Sequence, residues 1–255
     1  MTLSIGIPGA TPADDVRRIA RAVEAGGFRA LWVNDTPGAS SLDALAAAAE
    51  VTSTLGLASG VVPLDRLDAA ELAARVADLP ADRVRLGVGS GGSRKPLGLL
   101  ERGISELREH TRVPILVGAL GPKTRALAAR IADGILFSWL TPALAAEAQA
   151  QLESDAAGRA VEGVLYARTI AEAGARPALE KESARYAGYP QYAAHFARLG
   201  IDPLDTTIDL REPGSAAAFE RSVDEVVLRI ITAHGDADEV VRAVESADLP
   251  PGAGA

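Results

Sequence analysis

Short apolar runs alternate with amphipathic stretches along the whole 255-residue chain, and this alternation constrains its fold more than any other feature. The runs are rich in Val, Ile and Leu and mostly continuous, which is typical of parallel strands covered on both faces. Strands are predicted over residues 3–7, 30–33, 56–61, 84–88, 113–117, 134–137, 163–168 and 223–231. Helices are predicted to begin at the N-cap Thr11 and end at 26–27, and over residues 42–54, 68–78, 97–110, 122–132, 142–157, 176–199, 215–222 and 237–247.

Eight strand–helix repeats in about 250 residues predict a (β/α)8 TIM barrel in the α/β class. A doubly wound open sheet stays an alternative, because local pattern does not show whether the sheet closes. Residues 200–215 come closest to a linker, but nothing there separates two cores, so residues 1–255 are expected to form one domain. In a barrel, the active site lies at the carboxyl ends of the strands, where the βα loops gather.

Composition excludes several classes of function. The net charge of −8 argues against a nucleic-acid or anionic membrane surface. No apolar run is long enough to span a membrane, and the first residues lack the basic segment of a signal peptide, so a cytoplasmic location is expected. The chain has no cysteine, and its three histidines lie far apart in sequence, so no thiol chemistry and no metal site are predicted.

Residues 113–139 read as strand, glycine-rich turn, helix and strand. Gly118 and Gly121 allow a ligand to approach the backbone closely, and Pro122 suits the first position of a helix. The free N–H groups and the dipole at such a helix start favour an anion. The unit therefore predicts a phosphate site for a cofactor, although similar turns in other α/β proteins bind nothing.

The residues expected at the barrel mouth are 8–9, 34–35, 59–60, 87–92, 118–123, 138–139, 169 and 232–234. About half of them are Gly, Ser or Thr and few are acid–base groups, which suits an enzyme whose cofactor carries the chemistry. Four segments stand in an order and spacing that resemble the bacterial luciferase-like superfamily: GGFRALWVND at 26–35, GLASGVVPL at 56–64, DRVRLGVGSG at 82–91 and VPILVGALGPKTRALAARIADGIL at 113–136. Members of that superfamily are flavin- or deazaflavin-dependent (β/α)8 barrels. The Gly-Pro-Lys sequence at 121–123 is most similar to the branch that uses coenzyme F420, a deazaflavin.

The resemblance implies roles for individual residues. Asp35 matches the acidic residue that ends the second strand beside the cofactor ring, and it is the candidate catalytic residue. Ser59 and Gly60 match the bulge that supports the ring, where family members often have a non-proline cis peptide. Gly87 and Gly89 match the place where a small residue lets the ring pack. The phosphate-binding turn is matched by Gly118, Ala119, Leu120, Gly121, Pro122 and Lys123.

Each assignment has a plainer alternative. Asp35 could cap the next segment, Ser59 could be a buried hydroxyl bonded to backbone, and Gly87 and Gly89 could be required by barrel geometry alone.

The chain also departs from the family pattern. It has Asn34-Asp35-Thr36 where members often place a histidine, and only residues 90–112 connect the fourth and fifth strands, where members commonly insert a long segment. The helix before the last strand is reduced to 215–222. A compact barrel with shortened insertion loops and an open or differently covered mouth is therefore expected.

The expected function is F420-dependent transfer of a hydride between the cofactor and a small organic substrate. An FMN-dependent luciferase-like monooxygenase and a non-catalytic flavin-binding or partner barrel remain alternatives. The proton donor stays open among Asp35, Tyr166, His234 and bound water. The oligomeric state is also open, with a homodimer as one alternative because family members often dimerise.

Overall fold

Eight parallel strands form a sheet that closes on itself. In the computed structural model, which describes residues 2–36 and 38–247, the strands are β1 (Leu3–Pro8), β2 (Ala30–Asn34), β3 (Gly56–Ser59), β4 (Val62–Pro63), β5 (Val84–Gly89), β6 (Ile115–Gly118), β7 (Gly134–Ser138), β8 (Glu162–Ile170), β9 (Ile208–Asp209) and β10 (Glu225–Ile230). The barrel order is β1-β2-β3-β5-β6-β7-β8-β10, and β10 pairs in parallel with both β8 and β1. The predicted TIM barrel is confirmed, and the open sheet is excluded. The two short strands lie at its carboxyl end, β4 beside β5 and β9 beside β8.

Helices follow the strands around the outside of the barrel. They are α1 (Ala13–Ala25), α2 (Ser41–Ala49), α3 (Ala69–Ala77), α4 (Pro96–His110), α5 (Pro122–Ile131), α6 (Pro142–Ala156), α7 (Arg176–Ala187), α8 (Pro190–Leu199), α9 (Ser215–Glu220) and α10 (Ala237–Ser246). Ser40, Asp68 and Asp236 each accept a hydrogen bond from the backbone N–H three residues on, as N-cap side chains do. No helix among the described residues is both long and apolar enough to cross a membrane.

Two predicted helix boundaries were wrong. The first helix begins after Pro12, because the Thr11 hydroxyl donates to the Pro8 carbonyl at 2.7 Å instead of capping the helix. The second helix ends at Ala49, five residues before the predicted end at Thr54. Residues 53–55 do not continue the helix, because their backbone N–H groups donate to the Glu24 carboxylate at 2.7 to 3.0 Å.

The helix predicted over 176–199 is two helices, α7 and α8. Pro190 has no N–H to continue a helix, and it restricts the preceding residue to extended backbone, as seen in Tyr189 with φ −84° and ψ 129°. Pro190 instead occupies the first turn of α8. The resulting α7–α8 hairpin follows β8, so it lies at the carboxyl end of the barrel.

A buried ion cluster lies inside the barrel towards the amino ends of its strands. The Glu225 side chain is fully buried, and its carboxylate accepts hydrogen bonds from Trp32 Nε1 at 2.7 Å and from Arg85 at 2.6 and 3.0 Å. Burial opposes ionisation of Glu225, but the adjacent Arg85 and Arg29 guanidiniums hold its pKa below the usual range. Since the cluster occupies the interior near the amino ends and the active sites of TIM barrels lie at the carboxyl ends, a ligand site is expected at the opposite end.

Candidate functional site

The segment after β3 shapes one side of the barrel mouth. The peptide bond between Gly60 and Val61 is cis, at the position where the resemblance implies a non-proline cis peptide. Ser59, just before it, is fully buried, and its hydroxyl donates to the Gly87 carbonyl at 3.1 Å and accepts from the Gly87 N–H at 3.0 Å. Ser59 therefore joins β3 to β5, in agreement with the plainer of its two interpretations.

The glycines at the ends of β5 and β6 make room for protein atoms. A Cβ on Gly89 would lie 2.7 Å from Val61 Cγ2, and one on Gly118 would lie 3.1 Å from Val61 Cγ1. A Cβ on Gly87 would come within 2.0 Å of the Ser59 carbonyl oxygen. In this structure Val61, which is half-buried, covers the glycines that the resemblance assigns to the cofactor ring.

The candidate catalytic residue Asp35 is engaged at the start of α2. Its Oδ2 accepts from the backbone N–H and the hydroxyl of Ser41, both at 3.2 Å. Its Oδ1 lies 3.4 Å from Arg66 Nη2, and the side chain is only 13% exposed. These contacts match the capping interpretation of Asp35. The side chain that contacts the Gly60 segment is that of the preceding residue, Asn34.

Asn34, which the sequence places at the barrel mouth, holds a polar network there whose contacts were not predicted. Its Nδ2 donates to the Gly60 carbonyl at 2.6 Å, and its Oδ1 accepts from Tyr166 Oη at 2.8 Å and from Arg229 Nε at 3.1 Å. Strand alternation could have found it, because Trp32, two residues earlier, also points into the barrel.

The three proposed proton donors lie in different environments. Tyr166 is in the mouth network, and burial raises the pKa of its hydroxyl well above the usual range, so the group stays protonated at neutral pH. His234 is exposed in the loop before α10, where its hydrogen bond to Glu239 raises its pKa. Asp35 is engaged with Ser41, and Tyr166 is the one of the three that belongs to the Asn34 network.

Two arginines face the mouth from adjacent strands. Arg229 on β10 stands opposite Arg168 on β8 in the strand register, and both side chains are buried. The guanidinium of Arg168 lies 3.9 Å from the Trp139 ring centroid, and its Nη1 donates to Ser138 Oγ at 2.7 Å. Glu182 on α7 lies between the two arginines. Arg168 lies on the same face of β8 as Tyr166, two residues earlier. This alternation could have predicted that Arg168 points into the barrel.

The predicted phosphate turn links β6 to α5. Gly121 is the N-cap of α5, no side chain caps the helix, and no acidic residue lies in its first turn. A Cβ on Gly121 would meet no atom within 4 Å, so open space lies beside the turn. The structure thus places the six predicted phosphate-turn residues together at the end of β6 and the start of α5, with the helix N-terminus free.

Two arginines that sequence reasoning missed lie at this turn. Arg125 Nε donates to the Ala119 carbonyl at 3.3 Å, and Arg198 Nη2, from α8, donates to the Leu120 carbonyl at 3.0 Å. Arg125 Nη2 is buried without a hydrogen-bond partner. Burial and the adjacent charge of Arg198 lower the pKa of Arg125 to about 10, so it remains protonated at neutral pH. Among the described residues, neither guanidinium forms a salt bridge with a carboxylate.

His195 fixes Arg198 in place. The buried imidazole accepts at Nδ1 from Arg198 Nη2, 2.9 Å away, so its Nε2 carries the proton and donates to the Trp139 carbonyl at 2.9 Å. Burial lowers the pKa of His195, which is consistent with this neutral form. The turn thus combines free N–H groups with two guanidiniums, a combination of donors that fits a phosphate.

The comparisons with known proteins agree with this architecture. A family model described as luciferase-like monooxygenase matches residues 3–100 and 98–248. No curated protein matches the sequence significantly.

Similar solved structures include enzymes of two cofactor classes. An F420-dependent secondary alcohol dehydrogenase, solved with an F420–acetone adduct, has a TM-score of 0.72 at 15% identity, over 97% of this chain and 98% of that one. Coenzyme F420-dependent tetrahydromethanopterin reductase from Methanopyrus kandleri has a TM-score of 0.67 at 16% identity, with the same coverage of 97% and 98%. The FMN-bound oxygenating component of 3,6-diketocamphane monooxygenase from Pseudomonas putida has a TM-score of 0.62 at 14% identity, over 99% of each chain. At these identities the similarity establishes the fold.

Proposed function

The chain belongs to the luciferase-like monooxygenase family, whose members are oxidoreductases and monooxygenases, and we propose that it is an F420-dependent oxidoreductase. In this proposal a hydride passes between the deazaflavin and a small organic substrate at the carboxyl end of the barrel. The observation that carries the proposal is the buried, unpartnered Nη2 of Arg125 at the free N-terminus of α5.

The α5 turn would hold the phosphate of the cofactor. Arg125 and Arg198 bring two positive charges to the turn, and a phosphate would supply the acceptors that Arg125 Nη2 lacks. Burying one unpaired donor is costly, which favours a ligand that satisfies it. Lys123 is exposed in the first turn of the helix and adds a further positive charge.

The cofactor, when bound, supplies the hydride chemistry, and the chain supplies orientation and proton control. The Gly60–Val61 segment would back the ring, and Asn34 fixes that segment through the 2.6 Å hydrogen bond to the Gly60 carbonyl. Tyr166 donates its hydroxyl proton to Asn34 Oδ1 and burial raises its pKa, so in this proposal it orients Asn34, and the proton donor stays open among Asp35, Tyr166, His234 and bound water. The role of Asp35 in this proposal is to support the end of β2 through Ser41.

A second candidate function is a non-catalytic barrel that serves as a binding or partner subunit. The observation that favours it is the filled edge beside β3, where Val61 covers Gly89 and Gly118. Ser59 and Asp35 form hydrogen bonds to other protein groups rather than facing a ligand, which also favours the non-catalytic barrel. The open phosphate turn argues against it.

Titration of the purified protein with F420 and, separately, with FMN tests the proposal through quenching of Trp32 and Trp139 fluorescence. We expect micromolar binding of F420 and weaker binding of FMN. A preference for FMN would contradict the F420 assignment and favour an FMN-dependent monooxygenase, since the same turn can hold either phosphate. Binding of neither cofactor would contradict the enzyme proposal and favour the non-catalytic barrel.

A further inference from the structure

Arg198 is exposed on α8, yet a buried side chain fixes where its guanidinium lies. His195 stands one helical turn before it on the same face of α8 and is fully buried. Arg198 Nη2 donates to His195 Nδ1 at 2.9 Å and to the Leu120 carbonyl at 3.0 Å. The remaining N–H groups of this guanidinium have no hydrogen-bond partner among the described residues, so they are available to an anion.

The backbone of Trp139 determines which nitrogen of His195 can accept. His195 Nε2 lies 2.9 Å from the Trp139 carbonyl oxygen, which can only accept, so Nε2 carries the proton and Nδ1 keeps its lone pair for Arg198. Trp139 has a left-handed backbone with φ 57°, a costly conformation for a bulky residue that persists only where the surrounding structure enforces it. The position of Arg198 therefore depends on a neutral imidazole and on a fixed carbonyl.

Protonation of His195 would remove the acceptor that holds Arg198. A proton on Nδ1 turns this nitrogen into a donor that faces the Arg198 guanidinium. The Leu120 carbonyl favours the protonated imidazole, and it is the same oxygen to which Arg198 Nη2 donates. The imidazolium would thus repel Arg198 and also compete with it for the Leu120 carbonyl.

The charged groups around His195 are cations. Arg198 faces the imidazole from α8 and Arg125 faces it from α5, and both oppose its protonation. Arg168 from β8 and Tyr186 from α7 pack on the ring of the tryptophan whose carbonyl the imidazole contacts. Among the described residues no carboxylate forms a salt bridge with His195, so no acid would hold the proton against the arginines.

We propose that His195 is a positioning residue for the anion at the α5 turn, that its neutral form holds Arg198 over the turn, and that its protonation releases Arg198 and weakens anion binding. This inference rests on the proposed function for the identity of the anion as the phosphate of the cofactor. The expected sign is opposite to that of a simple charge effect, because an imidazolium acting through its charge alone would attract the anion.

The pKa of His195 with and without sulfate tests the release, since sulfate stays a dianion at every pH near neutrality. An NMR titration of the full chain follows the three imidazoles, and His195→Asn identifies the signal of His195. Because linkage is reciprocal, we expect saturating sulfate to lower this pKa, by about one pH unit if protonation weakens binding tenfold. A pKa that sulfate raises or leaves unchanged would overturn the proposal, as would an imidazole that stays neutral until the chain unfolds.

Variants at pH 7.5 separate positioning from a purely structural role. We expect His195→Gln, whose amide reaches the place of Nε2 but not that of Nδ1, to weaken sulfate binding about tenfold in isothermal titration. His195→Asn places an amide oxygen near the place of Nδ1, so it should retain most of the affinity. In an Arg198→Gln background, His195→Gln should cause no further loss. Equal losses in the two single variants of His195, or additive losses in the double variant, would contradict the positioning role.

The same experiments distinguish this inference from the proposed function. If sulfate lowers the pKa of His195 in a protein that binds neither F420 nor FMN, the positioning role is retained and the oxidoreductase is not. If F420 binds but sulfate leaves the pKa unchanged, the oxidoreductase is retained and the positioning role is not. Should His195→Gln fail to fold, the titration of wild type decides alone.

Discussion

Arg198 on α8 donates to the carbonyl oxygen of Leu120 at 3.0 Å, so one helix of the α7–α8 hairpin holds a guanidinium over the turn that begins α5. The bond connects two parts of the chain that are far apart in sequence. The bond adds a fixed positive charge to a glycine-rich turn of a kind that many α/β proteins share.

Gly121→Val should abolish cofactor binding and leave the barrel folded. A side chain at this position meets no protein atom within 4 Å and suits the extended backbone, with φ −94° and ψ 154°. It would instead occupy the space of the phosphate. Thermal unfolding checks the fold and fluorescence titration checks binding, with Gly121→Ala as the milder control. Wild-type affinity in the valine variant would show that no phosphate sits at the turn.

Stability should fall as the pH drops below about 6.5, in part through His195. Burial lowers the pKa of this imidazole in the folded state, so the unfolded chain binds the extra proton first. The contribution is present above the unfolded pKa and is lost as the pH falls below it. Urea unfolding at pH 7.5 and 5.5 should show a smaller loss for His195→Gln than for wild type. His234, whose pKa is raised, is present in both proteins and cancels in the comparison.

Asp35→Ala should lower stability by about 1 kcal/mol, because the backbone N–H and hydroxyl of Ser41 at the start of α2 lose their acceptor, with little change in cofactor affinity. Asn34→Ala should cost about 1–3 kcal/mol, because it removes the hydrogen-bond partner of the Gly60 carbonyl, of Tyr166 Oη and of Arg229 Nε, and it should also weaken cofactor binding. Chemical unfolding and titration of both variants check this. A catalytic role for Asp35 would appear instead as lost turnover in a variant that still binds cofactor.

Glu225→Gln should destabilise the protein by up to about 3–5 kcal/mol, because Arg85 would lose its closest and fully buried charge partner and keep only Glu162, 3.2 Å away and partly exposed. The cluster lies towards the amino end of the barrel, so cofactor affinity of the folded fraction should not change. The change in urea midpoint measures the first effect. An affinity loss comparable to that of a mouth variant would show that the two ends of the barrel are coupled.

The sequence predicted the barrel well because continuous apolar runs identify buried parallel strands, and all eight principal strands were found near their observed bounds. The helix break at Pro190 was not predicted, although a proline inside a predicted helix indicates a break. Asn34 was expected at the mouth but given no role, and Arg168 and Arg229 were missed, because apolar runs look alike on the two faces of a strand. Side chains alternate between the two faces of a strand, so a polar residue at a strand end is recognised as inward-facing only if a residue two positions away, such as Trp32 or Tyr166, is known to point inward.

The phosphate turn was predicted from local spacing, whereas its arginines were not. Arg198 and His195 reach the turn only through packing of α8, which no local pattern encodes. The plainer interpretation of Asp35 fits its contacts, because they come from Ser41 and Arg66. The order of the four sequence segments therefore predicted the family and the fold better than single residues predicted their roles.

The most direct test of the account is the affinity of F420 for wild type, Arg125→Gln and Arg130→Gln, measured by tryptophan quenching. Arg130 lies on the same helix and is exposed, with its guanidinium bonded to the Ala126 carbonyl, so it is a matched control for charge. We expect Arg125→Gln to weaken binding by about tenfold or more and Arg130→Gln to leave it unchanged. Equal affinities in all three proteins, or no binding to wild type, would contradict the proposed cofactor site.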